Sequence, residues 1–322
     1  MDGHCDILII GGGMAGLSAA AALAAAGQRI IVLDKGRGPG GRMAARRAEI
    51  GGEQVGFDHG AQYFTAHDPA FLDTVLVWEM AGVAARWPAA GEDAWVGTPG
   101  MNSCVKAMAE TLDVRWGVRA ERLERNSAVW RIATGDQSFT AATVLVAVPA
   151  EQAAVLLAET APELAALAAS VSSAPCWAVM AGFNARLPIA ADTYRSDTGP
   201  VSWAARNSAK PGRSGAETWV IHASPARSRE LIDLPKEEVA QFLLADFFAA
   251  TGAAARAPQH LDAHRWLYAL PQALIGEGAR FDATLRIGIA GDYLHSARVE
   301  GAWLSGRTLA QAVLQERVAS TS

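Results

Sequence analysis

Residues 6–16 read Asp-Ile-Leu-Ile-Ile-Gly-Gly-Gly-Met-Ala-Gly. Ile7 to Ile10 are consecutive apolar residues, the pattern of a short strand buried on both faces of a parallel sheet. Gly11, Gly13 and Gly16 then stand at G-x-G-x-x-G spacing. The alanine-rich run from Met14 to Ala26 supplies strong helix formers, and Gly27 predicts its C-terminal stop. A second apolar strand, Ile30 to Leu33, ends in Asp34. Gly11 allows the tight turn, Gly13 lets a pyrophosphate approach the backbone, and Gly16 lets helix and strand pack closely. The first turn of the helix, Met14 and Ala15, offers free N–H groups and a partial positive charge to phosphate. Asp34 is placed to accept from a ribose hydroxyl. A glycine triplet alone also occurs in ordinary turns. Strand, helix, second strand and acid in register predict an ADP-binding βαβ unit.

The chain of 322 residues is long enough for two domains or one large one. It is 51% hydrophobic and 19% charged, with no apolar run long enough to span a bilayer. Asp2, Gly3 and His4 precede the first strand without a basic, apolar leader, which predicts a cytoplasmic protein. Cys5, Cys104 and Cys176 are odd in number and widely spaced, so neither a disulfide framework nor a metal site is expected. A net charge of −5 disfavours nucleic acid as a partner. Only Lys35, Lys106, Lys210 and Lys236 are lysines.

After Asp34 comes Lys35-Gly-Arg-Gly-Pro-Gly-Gly-Arg-Met, residues 35–43, which reads as a basic loop closing over the pyrophosphate. Arg42 is placed to contact phosphate. A nicotinamide dehydrogenase has no need of the second glycine pair, Gly40-Gly41, so the loop points to FAD. Residues 57–64, Phe-Asp-His-Gly-Ala-Gln-Tyr-Phe, suit a backbone lying close to a planar ring. One helix is expected from Asp68 to Trp87 and another over residues 102–112. A β-rich stretch from Val114 to Val148 turns at Asn126 and Gly135-Asp136, and a long helix from Ala150 to Ala169 follows. Between Arg195 and Arg229 six basic residues face two acids, either a solvated face or a docking patch for a phosphorylated substrate. Near the C-terminus a strand, Leu285 to Ala290, runs into Gly291-Asp292, and Val299 opens a last helix. Asp292 is placed to bond a ribityl hydroxyl, and the Gly301 and Ala302 amides to face the flavin pyrimidine.

These motifs together resemble the renalase family of FAD-dependent oxidases. The likeness rests on Gly11-Gly-Gly-Met-Ala-Gly16, Asp34-Lys35, Gly40-Gly41-Arg42-Met43, Asp58-His-Gly-Ala-Gln-Tyr63, Gly291-Asp292 and Glu300-Gly301-Ala302. Val220-Ile-His222 and Arg265-Trp266 agree with it. The resemblance implies an α/β, p-hydroxybenzoate hydroxylase-like fold, a Rossmann-type FAD domain with an inserted mixed-sheet substrate domain. The FAD domain is expected over residues 1–65, 100–160 and 285–322, and the substrate domain over 66–99 and 161–284. Non-covalent FAD contacts are implied for the glycines and acids above and for Lys35, Gly41, Met43, Gln62, Tyr63, Phe64, Ala120 and Glu300. Tyr63, Asn207, His222 and Trp266 are implied to line the substrate pocket.

The implied activity is oxidation of 2- or 6-dihydroNAD(P) isomers to NAD(P)+, with O2 as electron acceptor and hydrogen peroxide as product. The alternatives are a flavin amine oxidase and a non-catalytic FAD-binding redox protein. Against the former, no lysine follows Lys236, and Arg298 stands two before Glu300, where a cation repels an ammonium.

Overall fold

The computed structural model describes residues 4–135 and 137–319; Asp2, Gly3 and the expected turn residue Asp136 lie outside them. The opening stretch folds as its pattern dictates, into β1 (His4–Ile10), α1 (Met14–Ala25) and β2 (Ile30–Asp34). Ile7 to Ile10 are buried, each stabilising the fold by about 1.5–3 kcal/mol. Gly27 adopts φ +78° and the Gln28 N–H returns to the Leu23 carbonyl, ending α1 in a left-handed turn.

Next comes a hairpin absent from the sequence reading, β3 (Ala45–Ile50) and β4 (Glu53–Asp58). Its turn, Gly51-Gly52, has positive φ at both residues, the geometry that matches strand twist. α2 (Pro69–Met80) is capped by Asp68, which accepts from the Ala70 and Phe71 N–H groups. It stops short of Trp87, because β5 (Ala84–Arg86) pairs with β6 (Trp95–Gly97). α3 (Ser103–Ala109), β7 (Val114–Trp116), β8 (Arg122–Asn126), β9 (Val129–Thr134) and β10 (Gln137–Val146) follow. The helix expected over 150–169 is two, α4 (Ala150–Leu157) and α5 (Pro162–Ala169). Pro162 cannot continue a helix but can start one.

The chain then lays down β11 (Ser173–Phe183), β12 (Thr193–Arg195), β13 (Val201–Arg206) and β14 (Glu217–Ala223). After α6 (Pro225–Glu230) and α7 (Lys236–Thr251) it completes that sheet with β15 (His260–Pro271). It ends with β16 (Arg280–Asp282), β17 (Ile287–Ile289) and α8 (Val299–Ala319).

Two sheets result. The first has the order β16-β17-β10-β1-β2-β7, with the β8-β9 hairpin attached to β10. Its central strands are parallel and β9 and β16 antiparallel, so it is the mixed sheet. The second, β12-β13-β14-β11-β15, is antiparallel throughout. β1 is flanked by β10 and β2, so the connections leave it in opposite directions. The crevice at such a switch point is where α/β sheets bind ligands.

Phe71, Val75, Trp78 and Trp95 share a core with Leu17 and Trp303, so the 66–99 segment packs with the first sheet. Leu157, Leu164 and Ala168 join Leu8 and Val144 on the other side. For the 66–99 segment the physical reason is the aromatic face of α2, which fills the space beside α1 and α8. α7 covers the second sheet, and the β3-β4 hairpin packs Val55 and Phe57 against Met180 and Val220. Among the described residues no helix is long and apolar enough to cross a membrane.

Candidate active site

The turn after β1 is held open by its glycines. The Gly11 N–H donates to Leu33 O at φ +111°, and a Cβ on Gly16 would stand 1.8 Å from the Gly11 carbonyl oxygen. A Cβ on Gly13, by contrast, would meet nothing within 4 Å, and no side chain caps α1. That open, uncapped N-terminus, with Met14 and Ala15 in its first turn, is the cradle a pyrophosphate needs. Gly41, at φ +52°, backs onto Gly13, so the second glycine pair does close on the first.

Asp34 sits at the end of β2, its two oxygens accepting from the Gly12 and Gly36 N–H groups, both at 2.6 Å. Ala120 follows Val118, whose N–H donates to Asp34 O. Lys35 reaches Gln152 Oε1 instead, at 2.9 Å. Met43 and Phe64 are buried in the first core, so their side chains serve packing.

Arg42 joins the two ends of the chain by a bidentate pair with Asp292, at 2.6 and 2.8 Å. Arg42→Ala frees Asp292, and FAD retention is expected to fall; the FAD-to-protein ratio after desalting checks this. Glu300 Oε1 accepts from the His67 and Asp68 N–H groups, both at 2.6 Å. Its carboxylate thereby ties α2 to α8. In the first turn of α8 the Ala302 N–H donates to Arg298 O at 3.1 Å, so it does not face outward as expected, because the helix ladder has already begun there. These residues fit an ADP-linked flavin.

A second cluster lies where the 58–64 loop meets the antiparallel sheet. Tyr63 and Trp203 pack with ring centroids 5.3 Å apart. Arg195 lies over Trp203 at 5.3 Å and donates to Tyr63 Oη at 2.7 Å. Trp266 stacks on His59 at 5.2 Å, meets His264 edge-on at 4.4 Å, and donates from Nε1 to His59 O. His222 pairs with Trp203 in the register of β13 and β14, its Nε2 3.5 Å from Gln62 Nε2. Burial, then His264 and Arg46, push His59 down to about 3; burial, then Lys210, push His222 down to about 4. Both rings are therefore neutral at pH 7.

Asn207 does not join this cluster. It is 1% exposed, its Oδ1 accepts from the Asp58 N–H and its Nδ2 donates to Gly56 O. Both ends of the amide hold β4 in place, so its role is positional. Sequence alone assigns no role to His59 or Trp203. Trp203 had one faint signal, its place in the same strand-like run, 200–204, as the basic segment.

Most of that basic segment is paired within the fold rather than free to dock a phosphate. Arg206 is fully buried between Asp192 and Glu217, and Arg227 pairs with Asp246 and Glu230. Lys210 and Arg213 both bind Asp58 Oδ2, at 3.1 and 2.6 Å. Charge counting along a sequence cannot see such partners, because they come from other strands. Arg195 and Arg229 are the exposed cations of the segment.

Residues 88–314 match the family described as flavin containing amine oxidoreductase, and residues 9–76 match the NAD(P)-binding Rossmann-like domain. A stretch of 50 residues is 46% identical to sarcosine oxidase subunit alpha of Rhizobium meliloti (strain 1021), covering 16% of this chain and 5% of that one. The chain thus matches only a small part of that relative.

Among solved structures, a protein of Exiguobacterium sp. 255-15 provisionally assigned as a protoporphyrinogen oxidase has a TM-score of 0.77. It is 14% identical, with 97% of this chain and 99% of that one covered. Cyclohexylamine oxidase of Brevibacterium oxydans IH-35A has a TM-score of 0.68 at 12% identity and the same coverage. These likenesses share the fold, and the dinucleotide is FAD.

Proposed function

Because the chain belongs to the flavin-containing amine oxidoreductase family, whose members are FAD-dependent oxidoreductases, we propose that it is a renalase-like oxidase of dihydronicotinamide dinucleotides. Its substrates are the 2- or 6-dihydro isomers of NAD(P), and its products NAD(P)+ and hydrogen peroxide. One observation carries this reading. Arg195 occupies the face of Trp203 and the hydroxyl of Tyr63, where an aromatic wall would otherwise receive an ammonium. A cation there repels an amine substrate and attracts the phosphates of a dinucleotide.

Bound FAD supplies the hydride acceptor. The protein's task is then to place the donor carbon at about 3–3.5 Å and keep water out. Tyr63, Trp203 and Trp266 provide apolar walls for the planar ring. Neutral His222 holds a fixed hydrogen-bonding edge for the carboxamide. Loss of hydride makes the ring aromatic, so no general base is required. The nearby carboxylate, Asp58, is already held by two cations.

Anaerobic mixing tests the proposal. Flavin bleaching by the dihydro isomers and not by amines is the expected result. Bleaching by amines alone would replace it with an amine oxidase, and bleaching by neither would leave a non-catalytic FAD protein. Arg195→Ala is expected to raise KM for the dinucleotide about tenfold with little change in kcat, the loss of one charge-assisted contact. Initial rates in peroxide formation check it.

A further inference from the structure

A buried charge cluster lies behind the 58–64 loop. Asp58, Lys210 and Arg213 are all nearly inaccessible, and one carboxylate faces two cations. Asp58 Oδ1 accepts from the Met101 N–H, so the anion is fully engaged. Lys210 is held over the ring of Trp87 at 5.3 Å and donates from Nζ to Gln62 Oε1 at 3.2 Å. That bond decides which end of the Gln62 amide faces the loop. Gln62 Nε2 consequently donates to Gly60 O at 3.0 Å and to Asp58 O, and stands beside His222. Burial pushes Lys210 down to about 8, so it still carries its proton at pH 7. The cluster therefore bears one uncompensated positive charge in a dry site, where charge acts most strongly.

We infer that Lys210 is an electrostatic positioning residue for the flavin. Through Gln62, it presents this surplus positive charge to the ring and favours the extra negative charge that hydride transfer leaves there. The inference rests on the proposal that the 58–64 loop borders the ring. It assigns a role to a lysine far from the last helix, on the hairpin between β13 and β14.

The test uses FAD-loaded protein and two readouts other than turnover. One is the midpoint potential of the bound FAD. The other is the sulfite concentration that bleaches half of the flavin, since sulfite adds to the oxidised ring and leaves it negatively charged. Lys210→Met is expected to make the potential more negative and to raise the half-bleaching sulfite concentration roughly tenfold. Lys210→Gln, which keeps a polar partner for Gln62 but no charge, is expected to behave likewise and serves if the methionine variant loses FAD.

Tyr63→Phe is measured in parallel as a reporter of the loop. If it shifts the flavin spectrum while both Lys210 variants leave potential and sulfite affinity unchanged, the inference is overturned and the site stands. If none of the three variants moves any readout, the loop does not border the ring, and the underlying reading falls as well.

Discussion

Replacing Asp58 by asparagine is expected to destabilise the FAD-loaded protein by about 3–5 kcal/mol, because it strands two buried cations without an anion. The side chain keeps its shape and its acceptor for the Met101 N–H, so the loss reports charge rather than packing. Burial alone would raise the Asp58 carboxyl, but Lys210 and Arg213 outweigh it and hold it below its ordinary 3.8. Lys210 is shifted down as well, chiefly by its own burial, which Asp58 opposes and Arg213 reinforces.

The pH dependence follows from the sign. A carboxyl depressed in the folded state contributes stability that is complete above its unfolded pKa and is lost as pH falls through the folded value. Wild type is therefore expected to lose this increment as pH falls below about 4, and Asp58→Asn to lack that step. Urea denaturation at several pH values measures both. The double variant Asp58→Asn/Lys210→Met should lose less than the sum of the single losses, since it removes one stranded charge. Additive losses would show that the pair is not coupled.

Gly16→Ala is the second large effect. Its new Cβ would fall 1.8 Å from the Gly11 carbonyl oxygen, a backbone atom that cannot move without shifting β1 or α1. Forced separation of this kind costs about 1–3 kcal/mol, so both the melting temperature and FAD affinity are expected to drop, the affinity by about ten- to a hundredfold. Gly13→Ala is its control. There the added carbon meets open space at φ −84°, so the FAD-free fold should keep its melting temperature while FAD binding weakens. Fluorescence titration with FAD and thermal melts of the FAD-free protein separate the two. If Gly13→Ala bound FAD as tightly as wild type, the pyrophosphate would not lie in this cradle.

The contrast between these sites marks what was legible in the chain by itself. The strand, glycine turn, helix and Asp34 are neighbours along the sequence, and their geometry follows from local rules of burial, glycine φ and helix capping. So the FAD unit could be read in advance, down to the left-handed stop at Gly27. Even the missed hairpin carried a local sign, the Gly51-Gly52 pair.

The substrate side is different in kind. Tyr63 meets Arg195 across 132 positions, and Asp58 meets Lys210 across 152. No local pattern distinguishes a lysine on a solvated loop from one sealed beneath an aromatic ring. Sequence determined the dinucleotide-binding βαβ unit and its glycine turn. Only the packing of an antiparallel sheet against the 58–64 loop decided which cations are buried and which one lies over Trp203. Burial and pairing at such separations are properties of the folded surface, where distant segments exclude water together.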